Sequence, residues 1–260
     1  AFFRTNGYDE VFSQENYPAD KVVNSFGVQD DFLYDYAIPV LNQRAATGQP
    51  FFATLLSISN HPPYVIPPFF HPKTSEPETQ IVEYADWALR QFFEEARKQP
   101  WFDNTIFVLE GDHGKLVGDA ECELPESYNH IPLMIYSSRI QPEEKTAFGG
   151  QVDIQPTILG LLNIDYLQNN FGVDLLKEER PCMFYTADNM VVGRNDTLLY
   201  LYNYETQQEL TYDIGNGKLN AVPMDDSFLP LKEYSFSMLQ SAEFLVKHGK
   251  TLNSIPFTQQ

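Results

Sequence analysis

The 260-residue chain carries 36 acidic against 17 basic side chains, a net charge of −19, and 43% of its residues are hydrophobic. This composition supports a sizeable core and argues against wholesale disorder, and against nucleic acid or an anionic membrane surface as the main partner. An anionic ligand would need local positive charge, from a metal ion or a few basic residues, to overcome the general field.

From the N-terminus, the first strong pattern is a helix from Asp30 to about Ala46. Asp30 or Asp31 is its expected cap, and Phe32, Leu33, Ala37, Leu41 and Ala45 share one face. Pro39 should bend or break it. The continuous apolar run "PFFATLLSIS" (50–59) suits a parallel strand covered on both faces. A proline-dense loop, "NHPPYVIPPFFHP", follows. The clearest helix runs from Glu78 to Lys98, with Ile81, Ala85, Ala88, Leu89, Phe92 and Ala96 at helical spacing. On its outer side Asp86 with Arg90, and Glu94 with Lys98, form acid-to-base pairs four apart.

Phe102 to Leu109 reads as the next buried strand and "HIPLMIYSS" as a third. "DIQPTILGLL" is a short helix with Pro156 near its start, where proline is tolerated. Strand and helix thus alternate up to about residue 165, the signature of a mostly parallel α/β sheet flanked by helices. From about residue 180 "CMFYTA", "TLLYLYNY" and "QELTYDI" predict a small antiparallel sheet, "GNG" (215–217) a turn, and Leu231–Lys247 a closing helix striped by Met238, Leu239, Ala242 and Leu245. The expected division is an α/β core over 1–175 and a C-terminal subdomain over 176–260. The alternating Tyr200, Tyr202 and Tyr204 read as one packed face of a strand. No run of apolar residues is long enough for a membrane helix. Cys122 and Cys182 fit neither a disulfide framework nor a zinc-finger spacing.

In open parallel sheets, ligands sit beyond the carboxyl ends of strands. Two loops qualify. "SISNHPP" places Asn60 and His61 after one strand; "LEGDHG" places Asp112 and His113 after another. An Asp and a His at a strand end can ligate one divalent ion, with Gly111 and Gly114 letting the backbone turn sharply. Asp-His-Gly alone equally describes an ordinary strand-to-loop turn. His71, in a proline loop, and His248, in the last turn of a helix, read as surface residues. His130 stays open. It precedes its strand, at the opposite end from Asp112 if the strands are parallel. An antiparallel strand, or the loop "ELPESYNH" folding over, would bring it near. Asn195-Asp-Thr197 matches a glycosylation triplet and carries no weight here.

Four stretches in order, "PFFATLLSISNHPPY", "YADWALRQFFEEARKQPWFDNTIFVLEGDHG", "YNHIPLMIYSS" and "VDIQPTILGLLNI", span about residues 8–165 with their surroundings. Together they resemble the C-terminal half of the catalytic domain of sulfatase-like enzymes of the alkaline phosphatase superfamily. Within these the resemblance is strongest to the lipoteichoic acid synthase, or phosphoglycerol transferase, group. It implies an alkaline-phosphatase-like fold with a small C-terminal subdomain. It makes Asp112 and His113 metal ligands, with manganese the first expectation and magnesium, calcium or zinc as alternatives. It makes His61 a catalytic and substrate-contacting residue at the phosphate group. Asn60, next to His61, and His130 are further substrate-binding candidates, the resemblance assigning His130 no role of its own. Asp153 looks structural. The substrate would be an anionic phosphate or sulfate ester, such as a lipid head group, on the extracytoplasmic face of the membrane or in the periplasm.

The family's nucleophile segment has no match. There is no Cys/Ser-x-Pro-x-Arg: Cys122 begins "CELPES" and Cys182 "CMFYT". The expectation is therefore a piece of a larger, membrane-anchored enzyme, inactive alone and prone to self-association through exposed apolar surface. The rival readings are a piece of a true sulfatase acting on sulfate esters and a non-catalytic binding module on the same fold.

Overall fold

The protein was analysed as a computed structural model that describes residues 2–116 and 118–250. Its architecture is α/β with an antiparallel sheet toward the C-terminus. The chain divides into two compact units, one formed by residues 1–108 and 134–140, the other by 109–133 and 141–260.

In the first unit a small hairpin, β1 (Val22–Asn24) with β2 (Gly27–Val28), leads into helix α1 (Asp30–Ala45). The cap is Gln29 rather than Asp30 or Asp31; both acids lie in the first turn, where their charge suits the positive end of the helix dipole. Asp30 is displaced from the cap because its carboxylate is used elsewhere, as described below. Pro39 does not break α1. It lies on the exposed side, as does Asp35, so the carbonyl that loses its amide partner faces water.

Helix α2 (Pro77–Ala96) has proline in its first turn and buries Ile81, Tyr84, Ala88, Phe92 and Ala96, spaced three and four apart. It packs on α1 through Ala37, Leu41, Phe92 and Ala96, closed at the end by Trp101 and Phe102. The Trp101 indole N–H donates to Asn42 Oδ1 at 2.6 Å, so the ring is buried without losing its polar partner. Asp86 and Arg90 pair as expected at 3.4 Å, but Lys98 reaches Glu95, three residues back, rather than Glu94.

Residues 51–58 form no ladder among the described residues, and Phe51, Phe52 and Leu56 are exposed. The apolar run predicts a strand covered on both faces, yet a strand needs a hydrogen-bonded neighbour and none of the described residues supplies one. The expected strand at 102–109 opens as a 3₁₀ turn, Phe102–Asn104, before β3 (Phe107–Glu110), which pairs with β4 (Leu133–Tyr136).

The second unit contains helix α3 (Ile154–Leu161) and a five-stranded sheet. Its strands are β5 (Met183–Ala187), β6 (Met190–Arg194), β7 (Leu198–Asn203), β8 (Gln208–Asp213) and β9 (Asn220–Ala221), each antiparallel to the next. β6 is the longer of the two strands of this sheet that the sequence pattern misses, the two-residue β9 being the other. The turn from β5 to β6 uses Asp188 and Asn189 at φ of 46° and 65°, the left-handed pair that a two-residue hairpin turn requires.

Leu199 and Leu201 face one side of the sheet, with Met190, Val192, Tyr212 and Leu124. Tyr200 and Tyr202 face the other, under helix α4 (Leu229–Lys247), with Phe228, Leu231 and Phe236. Tyr200 and Tyr202 are thus packing residues, and period-two alternation serves two covered faces; Tyr204 lies past the strand end and is exposed, against the expectation for it. The anchors of α4 are Leu231 and Ser235. A Cβ on Gly193 would stand 2.6 Å from Ser235 Oγ, so these two small residues let helix and sheet approach closely.

Candidate active site

In the first unit, Asn60 and His61 sit on a loop tied to the start of α1. Asp30 Oδ1 accepts the backbone N–H groups of Ile58 and Ser59, both at 3.0 Å, and the Ser59 hydroxyl lies 2.8 Å from the same oxygen. Gln29 accepts from that hydroxyl at 2.7 Å and donates through Nε2 to the Val65 carbonyl at 2.6 Å. The loop is therefore held on both sides of His61 by two adjacent side chains. Gln29, Asp30 and Ser59 are all buried. Sequence reasoning missed them because a Gln-Asp at a helix start looks like capping and a lone Ser carries no signal.

His61 Nδ1 is 2.7 Å from the Pro62 carbonyl oxygen. A carbonyl only accepts, so Nδ1 carries the proton and Nε2 is left for a ligand. The Phe26 ring, at the tip of the β1–β2 hairpin, lies against the imidazole with centroids 4.1 Å apart. Both His61 and Asn60 are exposed.

In the second unit, Asp112 and His113 follow β3 directly. His113 Nδ1 is 2.7 Å from the Gly114 carbonyl oxygen, which again assigns the proton to Nδ1 and frees Nε2. Asp112 Oδ1 accepts the His113 backbone N–H at 2.9 Å. The remaining oxygen, Oδ2, lies 3.8 Å from His113 Nε2, and both side chains are exposed. Burial, and secondarily the Asp112 charge, push the neighbouring Glu110 carboxyl above its ordinary value.

The glycines of this turn serve differently from expectation. Neither Gly111 nor Gly114 has a positive φ. Gly114 is required by proximity: a Cβ there would lie 1.9 Å from the Ser127 carbonyl oxygen. Its N–H donates to the Tyr128 carbonyl at 2.8 Å, and the Gly111 N–H to Pro132 at 3.3 Å. One index rises as the other falls, so 128–132 returns antiparallel to 111–114. His130 thus lies on the segment facing Asp112 and His113, the arrangement the parallel reading would have denied it. Its backbone N–H donates to Glu126 at 2.8 Å and its side chain is exposed.

Asp112 and His113 could supply two ligands to a divalent cation. Two bonds of about 2.1 Å span roughly 3.0 Å at neighbouring octahedral positions and roughly 3.4 Å at tetrahedral ones, so the free donors, 3.8 Å apart, would have to close by a few tenths of an ångström. The carboxylate oxygen suits manganese, magnesium or calcium, and the imidazole also allows zinc. No group of three or more His, Cys, Asp or Glu side chains able to hold a metal occurs among the described residues, so this segment offers a pair.

Residues 1–164 match the family model described as Sulfatase. The chain belongs to the sulfatase family. Among curated sulfatase relatives, lipoteichoic acid synthase 1 of Bacillus subtilis is 27% identical over 234 residues, which cover 82% of this chain and 35% of that protein. Lipoteichoic acid synthase of Staphylococcus saprophyticus is 27% identical over 199 residues, 66% of this chain and 30% of that protein. The chain therefore spans about a third of the length of the curated relatives it matches.

A solved structure from Vibrio parahaemolyticus, described as a protein of the alkaline phosphatase superfamily, superposes with a TM-score of 0.78 at 26% identity, covering 91% of this chain and 60% of that one. The lipoteichoic acid synthase of Listeria monocytogenes superposes with a TM-score of 0.77 at 22% identity, covering 99% and 67%. This sulfatase-family chain thus has the alkaline-phosphatase-like α/β fold. No helix among the described residues is long and apolar enough to cross a membrane.

Proposed function

We propose that this chain carries part of the active site of a metal-dependent phosphoglycerol transferase of the lipoteichoic acid synthase type. The reading rests on one observation above the others, the Asp112–His113 pair. Its two free donors stand 3.8 Å apart while their other polar atoms are tied to the local backbone. The identity to lipoteichoic acid synthases supports the substrate class, an anionic phosphate ester such as a phosphoglycerol head group. By the same relationship the work is done on the extracytoplasmic side of a membrane, by a protein anchored there.

Asp112 Oδ2 and His113 Nε2 would hold the cation, which when bound polarises a phosphoryl oxygen and eases ionisation of an attacking hydroxyl. His61, whose Nδ1 proton is held by the Pro62 carbonyl, presents Nε2 as the contact to a phosphate group. Asn60, beside His61, and His130, on the segment facing Asp112 and His113, are the further substrate-binding residues of this reading. With a net charge of −19, the protein repels such a substrate at long range, which makes these contacts and the cation the attractive elements.

The test uses the full-length protein with manganese and a phosphatidylglycerol donor. Glycerol phosphate transfer is expected, with Asp112→Asn and His113→Gln each lowering kcat at least about a hundredfold. Turnover of an aryl sulfate in preference to the phosphodiester would replace this reading with sulfate ester hydrolysis. No turnover of either, with wild-type folding, would leave a non-catalytic module.

A further inference from the structure

The Gln151 side chain reaches back to the strand end that carries Asp112 and His113. Its Nε2 donates to the Gly111 carbonyl at 3.2 Å and to the Asp112 carbonyl at 2.9 Å. Successive carbonyls of an extended segment point opposite ways, so one amide reaches two of them only where the chain is bent. That bend is the one from which Asp112 and His113 project.

Gln151 is itself placed by a buried assembly. It opens a 3₁₀ turn, Gln151–Asp153, after Gly150. Asp153 is fully buried and accepts the Gly150 N–H at 2.8 Å, the Val173 N–H at 2.8 Å and Arg180 Nε at 3.0 and 3.1 Å. Arg180 also donates to the Phe171 carbonyl and, at 3.4 Å, to the Tyr234 hydroxyl. A Cβ on Gly150 would lie 2.6 Å from Met183 Cε, so the turn is pressed against β5. The Asp153–Arg180 pair thus fixes a turn, and the turn aims the Gln151 amide at the site.

We infer that Gln151 is a positioning residue for the Asp112–His113 pair, holding the peptide planes from which both donors project. The inference rests on the cation-binding reading above. Gln151 is exposed, and an exposed hydrogen bond contributes little to folding. What the contact fixes is the pose of the ligand turn, as outer partners of metal ligands do.

The test uses the 260-residue chain, Mn²⁺ alone as the probe, and Gln151→Glu and Gln151→Ala. The glutamate is isosteric, cannot donate when ionised and repels both carbonyls. In the wild type, Mn²⁺ should broaden the His113 imidazole resonances while those of His71 and His248 stay sharp. Both variants should need about tenfold more Mn²⁺ for the same broadening. Amide exchange at His113 and Gly114 should quicken about tenfold, with the Val192 amide in the central sheet unchanged. Unchanged exchange at His113 and Gly114 overturns the clamp, and so does selective His113 broadening that appears at the same Mn²⁺ concentration in wild type and variants. Quickened exchange with no selective broadening in the wild type keeps the clamp and overturns the cation reading instead.

Discussion

Ser59 Oγ lies 2.8 Å from Asp30 Oδ1, joining the residue two places before His61 to the first turn of α1 across 29 positions of sequence. Both are buried, so the contact cannot be traded for water. Ser59→Ala leaves the Gln29 oxygen without its donor and the Asp30 N–H without its acceptor, and should cost about 1–3 kcal/mol. Urea denaturation reads this as a lower midpoint at unchanged slope. A midpoint equal to the wild type would mean that the loop is held by something other than this cluster.

Gly114→Ala should be costly for a reason unrelated to backbone freedom. The new methyl would meet the Ser127 carbonyl oxygen at 1.9 Å, so either the 126–128 turn or the ligand turn must move. Overpacking of this kind costs about 1–3 kcal/mol. The variant should melt earlier and lose the selective Mn²⁺ broadening at His113. Retention of both would show that the two segments separate freely.

Both cysteines are free, and burial pushes both thiols above their ordinary value. At Cys122 the nearby Glu123, Glu126 and Glu121 add to the effect; at Cys182 the Arg180 charge opposes it. The thiolate is the reactive form, so a raised pKa means less of it at neutral pH and slower reaction. Alkylation by iodoacetamide, a neutral reagent, should rise with pH to a midpoint above the ordinary 9.0 at both sites. A midpoint at or below that value would contradict the burial seen for these side chains.

Residues 51–58 combine exposed Phe51, Phe52 and Leu56 with backbone that has no ladder partner among the described residues. Such an edge invites pairing between copies. At concentrations of about tens of micromolar, light scattering of the chain should give a mass above 29.9 kDa, and Phe52→Lys with Leu56→Lys should return it to that value. A strictly monomeric parent chain would sink the prediction.

Helical periodicity was the most legible signal, because one covered face repeats every three or four residues. It located α2 and most of its stripe, but omitted Tyr84, whose hydroxyl donates to Asp31 at 2.6 Å from a buried ring. A tyrosine looks amphipathic in sequence, and its partner lies 53 positions away. β6 stayed hidden because its Asp188-Asn189 turn lacks the glycine that usually announces a hairpin. At the site, Asp112 and His113 were legible as a pair of donor types at a strand end. Gln151, Gln29 and Ser59 were not, since each acts by reaching backbone or buried oxygens that local sequence does not reveal. The placement of His130 turned on strand direction, which apolar runs alone do not encode.

Both imidazoles described above, His61 and His113, spend their Nδ1 proton on a carbonyl within one residue of themselves. Ring pose at each is thus written into a dipeptide and travels with it. Tuning such a site by evolution or by hand means moving whole loops as rigid carriers, and distant substitutions act on these rings only through the anchors of their loops.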